Sequence, residues 1–438
     1  MIRKTALLFL GFLWTATHAR AYPNPPLINV TNVVNVTTFT NSPYAAVGDG
    51  ATDNTTAIQA AINRATDLPT VGSLGGGTVE IPAGVFLSGP IRLGSQINLH
   101  LAANAVLRML PLDKYPGGTD DPSSFISGTS LHDVAISGPG MIDGQGTPWW
   151  PYARVAGARR PRMIALSTCT RILIEKVTLT NSPMFHIAIS SHSLDVTVRG
   201  VTIRATPSTD PVNPGHNTDA CDVSGKNVLI QDCDVSVGDD NFTCGGGTSD
   251  VLITNCTYGY GHGVSIGSPT SAGVSNFTVI NCTFNNTEAG IRIKTDRDRG
   301  GYVHNLFYLN LRMTNVNFPI LVYETYNVTN KEYRDLNKLT PAIAAGFPSN
   351  AVVDRTPIYR DITFSNITAT VAAGYRAGLI WGRPEMNASN IILSHIHITA
   401  DRPFGIFDAQ NVQLTDFQIT TPAGVDKLVT TNSQITIQ

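Results

Sequence analysis

Ionisable residues gather between positions 217 and 294 of a chain that is otherwise poor in charge. Asn217-Thr-Asp219 follows a loop holding Pro207, Pro211 and Pro214. Asp239 and Asp240 stand side by side in Val237-Gly-Asp-Asp-Asn241. His262 lies between Gly261 and Gly263, and Arg292 and Lys294 alternate with isoleucine after Gly290. Close carboxyls do not ionise independently, so one of them is pushed to hold a proton near neutral pH. A protonated acid beside a carboxylate is the equipment for glycoside hydrolysis. Two cations suit an anionic substrate, and a uronic-acid sugar meets both demands. Each piece alone has a plainer reading. The aspartate pair could be a solvated turn, His262 a structural hydrogen-bonder, and Arg292 with Lys294 a surface face. The chemistry gains weight only if the fold stacks all four segments.

A repeat supplies that stacking. A nonapeptide, often introduced by Asn or Asp, recurs from Arg171, Asp195, Asn227, Asp250, Asn276, Asn305, Asp361, Asn390 and Asn411, with a looser copy at Asp133. Apolar residues alternate within it, as in Val228, Ile230, Cys233 and Val235, with a slip near the middle. Period two means strand, and the slip means a bend between two strands. Strands this short cannot bury a face alone, whereas stacked turns bury a continuous core. The Leu-x-x-Leu-x-Leu pattern of leucine-rich repeats is missing, and a propeller needs about 40 residues per blade. The fold class is therefore all-β, a single-stranded right-handed parallel β-helix. The seventh position runs Val177, Val201, Cys233, Cys256, Cys282, Leu311, Ile367, Ile396, Phe417 and should point inward. Cys233, Cys256 and Cys282 read as a buried thiol stack, with a disulfide between neighbouring coils as the alternative. Asp53 followed by Ile58, Ala61, Ile62 and Ala65 predicts an N-capped amphipathic helix covering the open N-terminal end.

Register can be counted from the cysteine column. It places Asp239 and His262 at equivalent points one coil apart, about 5 Å if coils stack at strand spacing. Ile291 and Ile293 face the core, which sends Arg292 and Lys294 outward together. The four segments then form an exterior cleft.

The first 21 residues read as a cleaved secretion signal: Arg3 and Lys4, an apolar run from Thr5 to Trp14, then Ala19-Arg-Ala21. That run is too short to span a bilayer. Residues 22–438 read as one domain, with cap and first coils over 22–125 and main coils over 126–438. Charged residues make up only 14% and net charge is −2, which excludes a basic nucleic-acid binder as the default. A monomer is expected, secreted to the exterior or periplasm, with neither nucleic acid nor membrane as partner. No cofactor is implied, and no C-x-x-C or His-rich pair suggests a metal. Export permits disulfides, but six cysteines allow fifteen pairings. Eleven Asn-x-Ser/Thr sequons occur, several within predicted strands.

Asn217-Thr-Asp, Gly238-Asp-Asp, Gly261-His-Gly and Arg292-Ile-Lys, in this order and spacing, resemble glycoside hydrolase family 28, the polygalacturonases. Looser resemblance runs along the chain from Gly48-Asp-Gly-Ala-Thr-Asp. The resemblance implies that Asp239 is the general acid and that Asp219 and Asp240 jointly deprotonate the attacking water. It implies that His262 sets the protonation of the acid. Asn217, Arg292, Lys294 and Tyr326 would hold the substrate, with a galacturonate carboxylate on the two cations. The family inverts configuration, which requires acid and base carboxyls roughly 6.5–9.5 Å apart. No metal is needed. Many members carry a cysteine after the paired aspartates and another before the motif histidine; here Asn241 and Tyr258 occupy those places. Both are absent together, so the bridge is replaced rather than broken.

The expected partner is pectic polysaccharide, with α-1,4-linked polygalacturonate as substrate. Xylose-substituted galacturonan and rhamnogalacturonan are alternatives, as are a lyase on the same polymer and a non-catalytic β-helix that binds acidic glycans. Endo and exo action stay open, since they depend on whether inserts at 204–216 and 327–358 close one end of the groove.

Overall fold

Every copy of the nonapeptide begins on a left-handed residue. Asp133, Arg171, Asp195, Asn227, Asp250, Asn276, Asn305, Asp361, Asn390 and Asn411 all have φ between 51° and 60°. A second such residue stands five positions on, as at Asp232, Asn255, Asn281, Asn310 and Asn366. Asn and Asp tolerate this conformation better than other side-chain-bearing residues. Two such residues per copy turn the chain twice, which is the slip seen in the apolar pattern.

The computed structural model describes residues 22–39, 45–190 and 192–438; the predicted signal segment 1–21 lies outside them. The strands join in one 33-stranded sheet wound as a parallel β-helix, and every strand-to-strand pairing among the described residues is parallel. The same asparagines tie coil to coil. Nδ2 of Asn276 donates to Asp250 at 2.9 Å, Asn305 to Asn276 at 3.2 Å and Asn411 to Asn390 at 2.9 Å. Each satisfies polar groups at a bend that a smooth strand would leave unpaired.

The seventh-position column fills the interior. From Val177 to Ile396 its members are at most 2% exposed, and Phe417 packs at the edge of the same core. The six cysteines are buried thiols, and Cys233, Cys256 and Cys282 form the stack rather than a bridge. The Thr55–Thr66 helix closes the N-terminal end, burying Ala57, Ile58, Ala61, Ile62 and Ala65. Its cap differs from expectation by one residue. Asn54 is the N-cap, but its side chain bonds the backbone of Val47 and Thr52 instead. Asp53, one place earlier, accepts from the Thr55 N–H at 2.9 Å.

One row of outward-facing residues matters for function. In register across successive coils run Ala188, Asp222, Thr243, Ser265, Arg292 and Leu321. Their neighbours in sequence, such as Cys221, Phe242, Ile266 and Ile293, point into the core. The row is the floor of a surface groove.

Candidate active site

Three turns entering this floor each deliver an acid or a base. Asp219 precedes the strand Cys221–Val223, Asp239 and Asp240 precede Phe242–Cys244, and His262 precedes Val264–Ile266. Backbone bonds lock the turns together: Ala220 N–H to Asp240 carbonyl at 2.9 Å, and His262 N–H to Asp239 carbonyl at 2.8 Å. The glycines around His262 are steric requirements. A Cβ on Gly263 would meet the Ala289 carbonyl at 2.0 Å, and one on Gly261 the Asn241 side chain at 2.5 Å, both at positive φ. The expected meeting of four segments is therefore present.

Asp240 is the anchored carboxylate. Its Oδ1 accepts from Arg292 Nη2 and, at 2.8 Å, from the Ser265 hydroxyl; its Oδ2 accepts from Lys294 Nζ at 3.0 Å. Burial pulls its pKa up, but the charges of Arg292, Lys294 and His262 outweigh this and hold it well below the usual range. Arg292 and Lys294 do face away from the core, yet each is only 5% exposed. Asp240 engages both cations, an arrangement absent from the sequence reading.

Asp239 and His262 form a second pair. Nδ1 of His262 lies 3.0 Å from Asp239 Oδ1, and its Nε2 lies 3.1 Å from Glu288 Oε2. Flanked by two carboxylates, the ring can donate from both nitrogens, which favours the imidazolium form. Its pKa is raised: burial and the Arg292 charge oppose protonation, and Asp239 and Glu288 outweigh them. Arg292 Nη2, 3.2 Å from the same Nδ1, is then a neighbour without a hydrogen bond. Asp239 is lowered in turn, because the bond and charge of His262 overcome burial. Its Oδ1 also accepts from the Asp240 N–H at 3.0 Å, while its Oδ2 receives only a 3.3 Å contact from Asn217 Nδ2.

Asp219 behaves oppositely. It is buried, and its Oδ1 has no hydrogen-bond partner. Burial first, then the charges of Asp239 and Asp240, push its pKa well above the ordinary value. Of the three acids, Asp219 is the one whose surroundings favour the protonated form. Beneath it, fully buried His186 is held neutral, its pKa pushed down to about 4 by burial. Its Nδ1 donates to the Asp219 carbonyl at 3.2 Å and its Nε2 accepts from the Ser182 N–H at 3.3 Å.

Asn217 sits at φ 56° and is oriented by Arg160, whose guanidinium donates to its Oδ1 at 2.7 Å and to the His216 carbonyl at 2.7 Å. Tyr326 borders the site, 39% exposed, with Lys294 Nζ 5.2 Å from its ring centre. Asn241 ties its turn to the next coil by hydrogen bonds: Nδ2 to the Tyr260 carbonyl at 2.9 Å, and Oδ1 from the Gly263 N–H at 2.8 Å. Tyr258 is core, its ring tilted against Phe284 with centroids 5.0 Å apart.

Asp239, Asp240 and His262 bring ligand atoms within 4.8 Å of one another, near enough for an ion. An ion there would have to displace Arg292 and Lys294 from Asp240, so these donors suit an internal salt-bridge network better than a cation.

Sequence reasoning missed Glu288, Arg160 and His186. Glu288 lies four residues before Arg292 on the cleft side and carried a signal that register counting could have used. Arg160 and His186 come from earlier coils and stand in no motif.

The family model for glycosyl hydrolases family 28 matches residues 73–421. A protein of Arabidopsis thaliana named "Probable polygalacturonase" is 32% identical over 302 residues, 68% of this chain and 62% of that protein, under two thirds of its length. An endo-polygalacturonase of Pectobacterium carotovorum subsp. carotovorum is 33% identical over 337 residues, 67% of this chain and 81% of the relative. The crystal structure of an exopolygalacturonase from Thermotoga maritima superposes with a TM-score of 0.72 at 23% identity, covering 91% of this chain and 94% of that one; at this identity the likeness speaks for the fold.

Proposed function

The chain belongs to glycosyl hydrolases family 28 and is a glycoside hydrolase; from that membership and the site geometry, we propose that it hydrolyses α-1,4-galacturonosyl linkages of polygalacturonate with inversion. We further propose that it does so outside the cell, as a monomer, with residues 22–438 as one catalytic domain. Among the described residues no helix is long and apolar enough to cross a membrane. The observation that carries the reading is the division of one carboxylate cluster into three electrostatic environments within a single exterior groove.

Asp239 is the donor to the leaving oxygen. It is the most exposed of the three acids, with 19% of its side chain open, and its Oδ2 is the less encumbered oxygen. The Asp239–His262 pair shares a proton that rests on the ring in the free site. It shifts to Asp239 as the glycosidic oxygen arrives and becomes the better acceptor. Asp240, kept ionised by Arg292 and Lys294, and Asp219 take the attacking water. The unpartnered Asp219 Oδ1 leaves an acceptor for that water. Asp219 accepts the water proton only in its ionised form, after releasing its own proton to solvent, and its raised pKa then makes it the stronger base of the two. Arg292, Lys294 and Tyr326, with Asn217, lie where a galacturonate ring crosses the floor.

One feature favours exchanging two roles: burial and the neighbouring carboxylates favour the protonated form of Asp219, as a general acid requires. Its depth argues against this, since a proton delivered to a substrate oxygen must come from an exposed face. A proton NMR time course of the first product decides the stereochemistry. Inversion yields the β-anomer first, whereas initial α-anomer rules out the water-activating pair.

A further inference from the structure

The cleft floor does not end at the catalytic residues. In register beyond Arg292 it continues through Leu321, Leu379, Gly405 and Val429. Here the floor is roofed. The insert 327–358 folds the short helices Lys331–Arg334 and Pro341–Ala345 over it. Leu321 and Leu379 are 3% and 0% exposed, and with Tyr323, Trp381 and Phe407 they bury Leu339, Ala344 and Phe347 of the insert in a cluster separate from the helix core.

Polar pins make this roof a fixed wall. Arg376, 2% exposed, donates to the Leu336 carbonyl at 2.8 Å and the Leu339 carbonyl at 3.2 Å. The Arg383 guanidinium lies 5.4 Å from the Phe347 ring centre, and Phe347 packs edge-on against Trp381 at 5.2 Å. Between wall and catalytic floor lies a cavity of about 580 Å³, bounded by Arg292, Leu321 and Tyr326 on one side and by Arg334 and Lys338 of the insert on the other. From the strand after Asp240 to the strand of Leu321 is three coil steps, roughly 14 Å.

The opposite direction is open. Asp222, Ala188, Ala165 and Ser127 continue the floor in register as small or short side chains reached by solvent. A polymer threaded along this groove can run out past Ser127 but meets the insert within a few sugar units of Asp239.

We propose that the groove is closed at its C-terminal end, so that the protein acts on a terminus of the galacturonan chain and releases products of one short length. The inference rests on the function proposed above. Arg334 and Lys338 then face the terminal galacturonate, with Lys338 partly balanced by Asp335 at 3.0 Å.

Product sizes from polygalacturonate, followed from the earliest time points alongside solution viscosity, test this. A single short product at all times, with viscosity falling only in step with mass released, is the expected result. An early ladder of mixed oligomers with steep viscosity loss overturns the inference and leaves the hydrolase reading intact. No reducing ends from any galacturonan removes the hydrolase reading, and the inference with it. Arg334→Ala, on the exposed rim of the wall, should raise KM several-fold for short oligogalacturonides while product length stays unchanged; an unchanged KM contradicts a terminal unit seated there.

Discussion

Nδ1 of His262 lies 3.0 Å from Oδ1 of Asp239, a side-chain contact between residues a full coil apart in sequence. Because the far nitrogen meets Glu288, the ring carries charge and hands its neighbour a proton rather than taking one. The site thus has an acid limb set by the carboxyls and an alkaline limb set by the imidazolium.

Glu288 tunes that alkaline limb. Its charge favours protonated His262, so Glu288→Gln lowers the histidine pKa and the pair loses its proton at lower pH. The alkaline limb of kcat/KM should move to lower pH while the acid limb stays in place. A pH profile that does not move would mean that Glu288 only lines the groove.

Arg160 acts through Asn217. Without it the amide of Asn217 is free to turn its oxygen toward Asp239. A hydrogen bond to a charged group is worth about 1.5–3 kcal/mol, so Arg160→Met should lower kcat by roughly 10- to 100-fold with KM little changed. Asn217→Ala should lower kcat as much and, because Asn217 also meets the substrate, raise KM; the double variant should be no worse than Asn217→Ala, since they share one path.

Lys294 keeps Asp240 ionised. Asp240 is depressed in the folded state, so its pair stabilises the protein above the ordinary carboxylate range and is lost as pH falls through the folded value. Lys294→Met removes one partner of a buried pair, a change that costs about 3–5 kcal/mol. Tm should drop at neutral pH, and the loss should shrink at strongly acidic pH. A pH-independent loss would point to packing alone.

Glu324 is a buried acid outside the catalytic set. It is fully buried, and both its oxygens lack a hydrogen-bond partner. Burial pushes its carboxyl well up, against which the Arg383 charge works. For a raised acid, stability is complete below the ordinary carboxylate range and declines as pH rises toward the folded value. Glu324→Gln cannot ionise. The Tm of the variant relative to the parent should therefore rise from acidic to alkaline pH; a constant difference would contradict a buried neutral carboxyl.

Much of this molecule was legible because its repeat carries two kinds of information in one short stretch. The slip in the apolar alternation reported a bend, and the seventh-position column reported the inward face, so coil register followed by counting; that the bend is left-handed at Asn and Asp came from the structure. That register put Asp239 beside His262 and sent Arg292 and Lys294 out of the core. It could not reveal that Asp240 engages both cations, since an ion pair depends on side-chain reach rather than backbone step. Arg160 and His186 were hidden for a related reason: each acts from another coil through hydrogen bonds of its side chain. The insert 327–358 was one of two candidates for closing the groove, but its packing was hidden because Leu339, Ala344 and Phe347 sit in a segment without period, where burial is set by what it lands on. The displaced cap is a smaller case, in which Asn54 bonds Val47 and Thr52 and leaves capping to Asp53.

The central claim is that Asp239 protonates the departing sugar oxygen in a galacturonan. The direct measurement is the release of reducing ends from polygalacturonate by Asp239→Asn, beside cleavage of a galacturonide with an activated phenolic leaving group that needs no acid. General acid catalysis is worth about 10²–10⁴-fold. The polymer rate should fall by at least that factor while cleavage of the activated substrate survives. Full activity of Asp239→Asn on the polymer, with its fold intact by circular dichroism, would contradict the account.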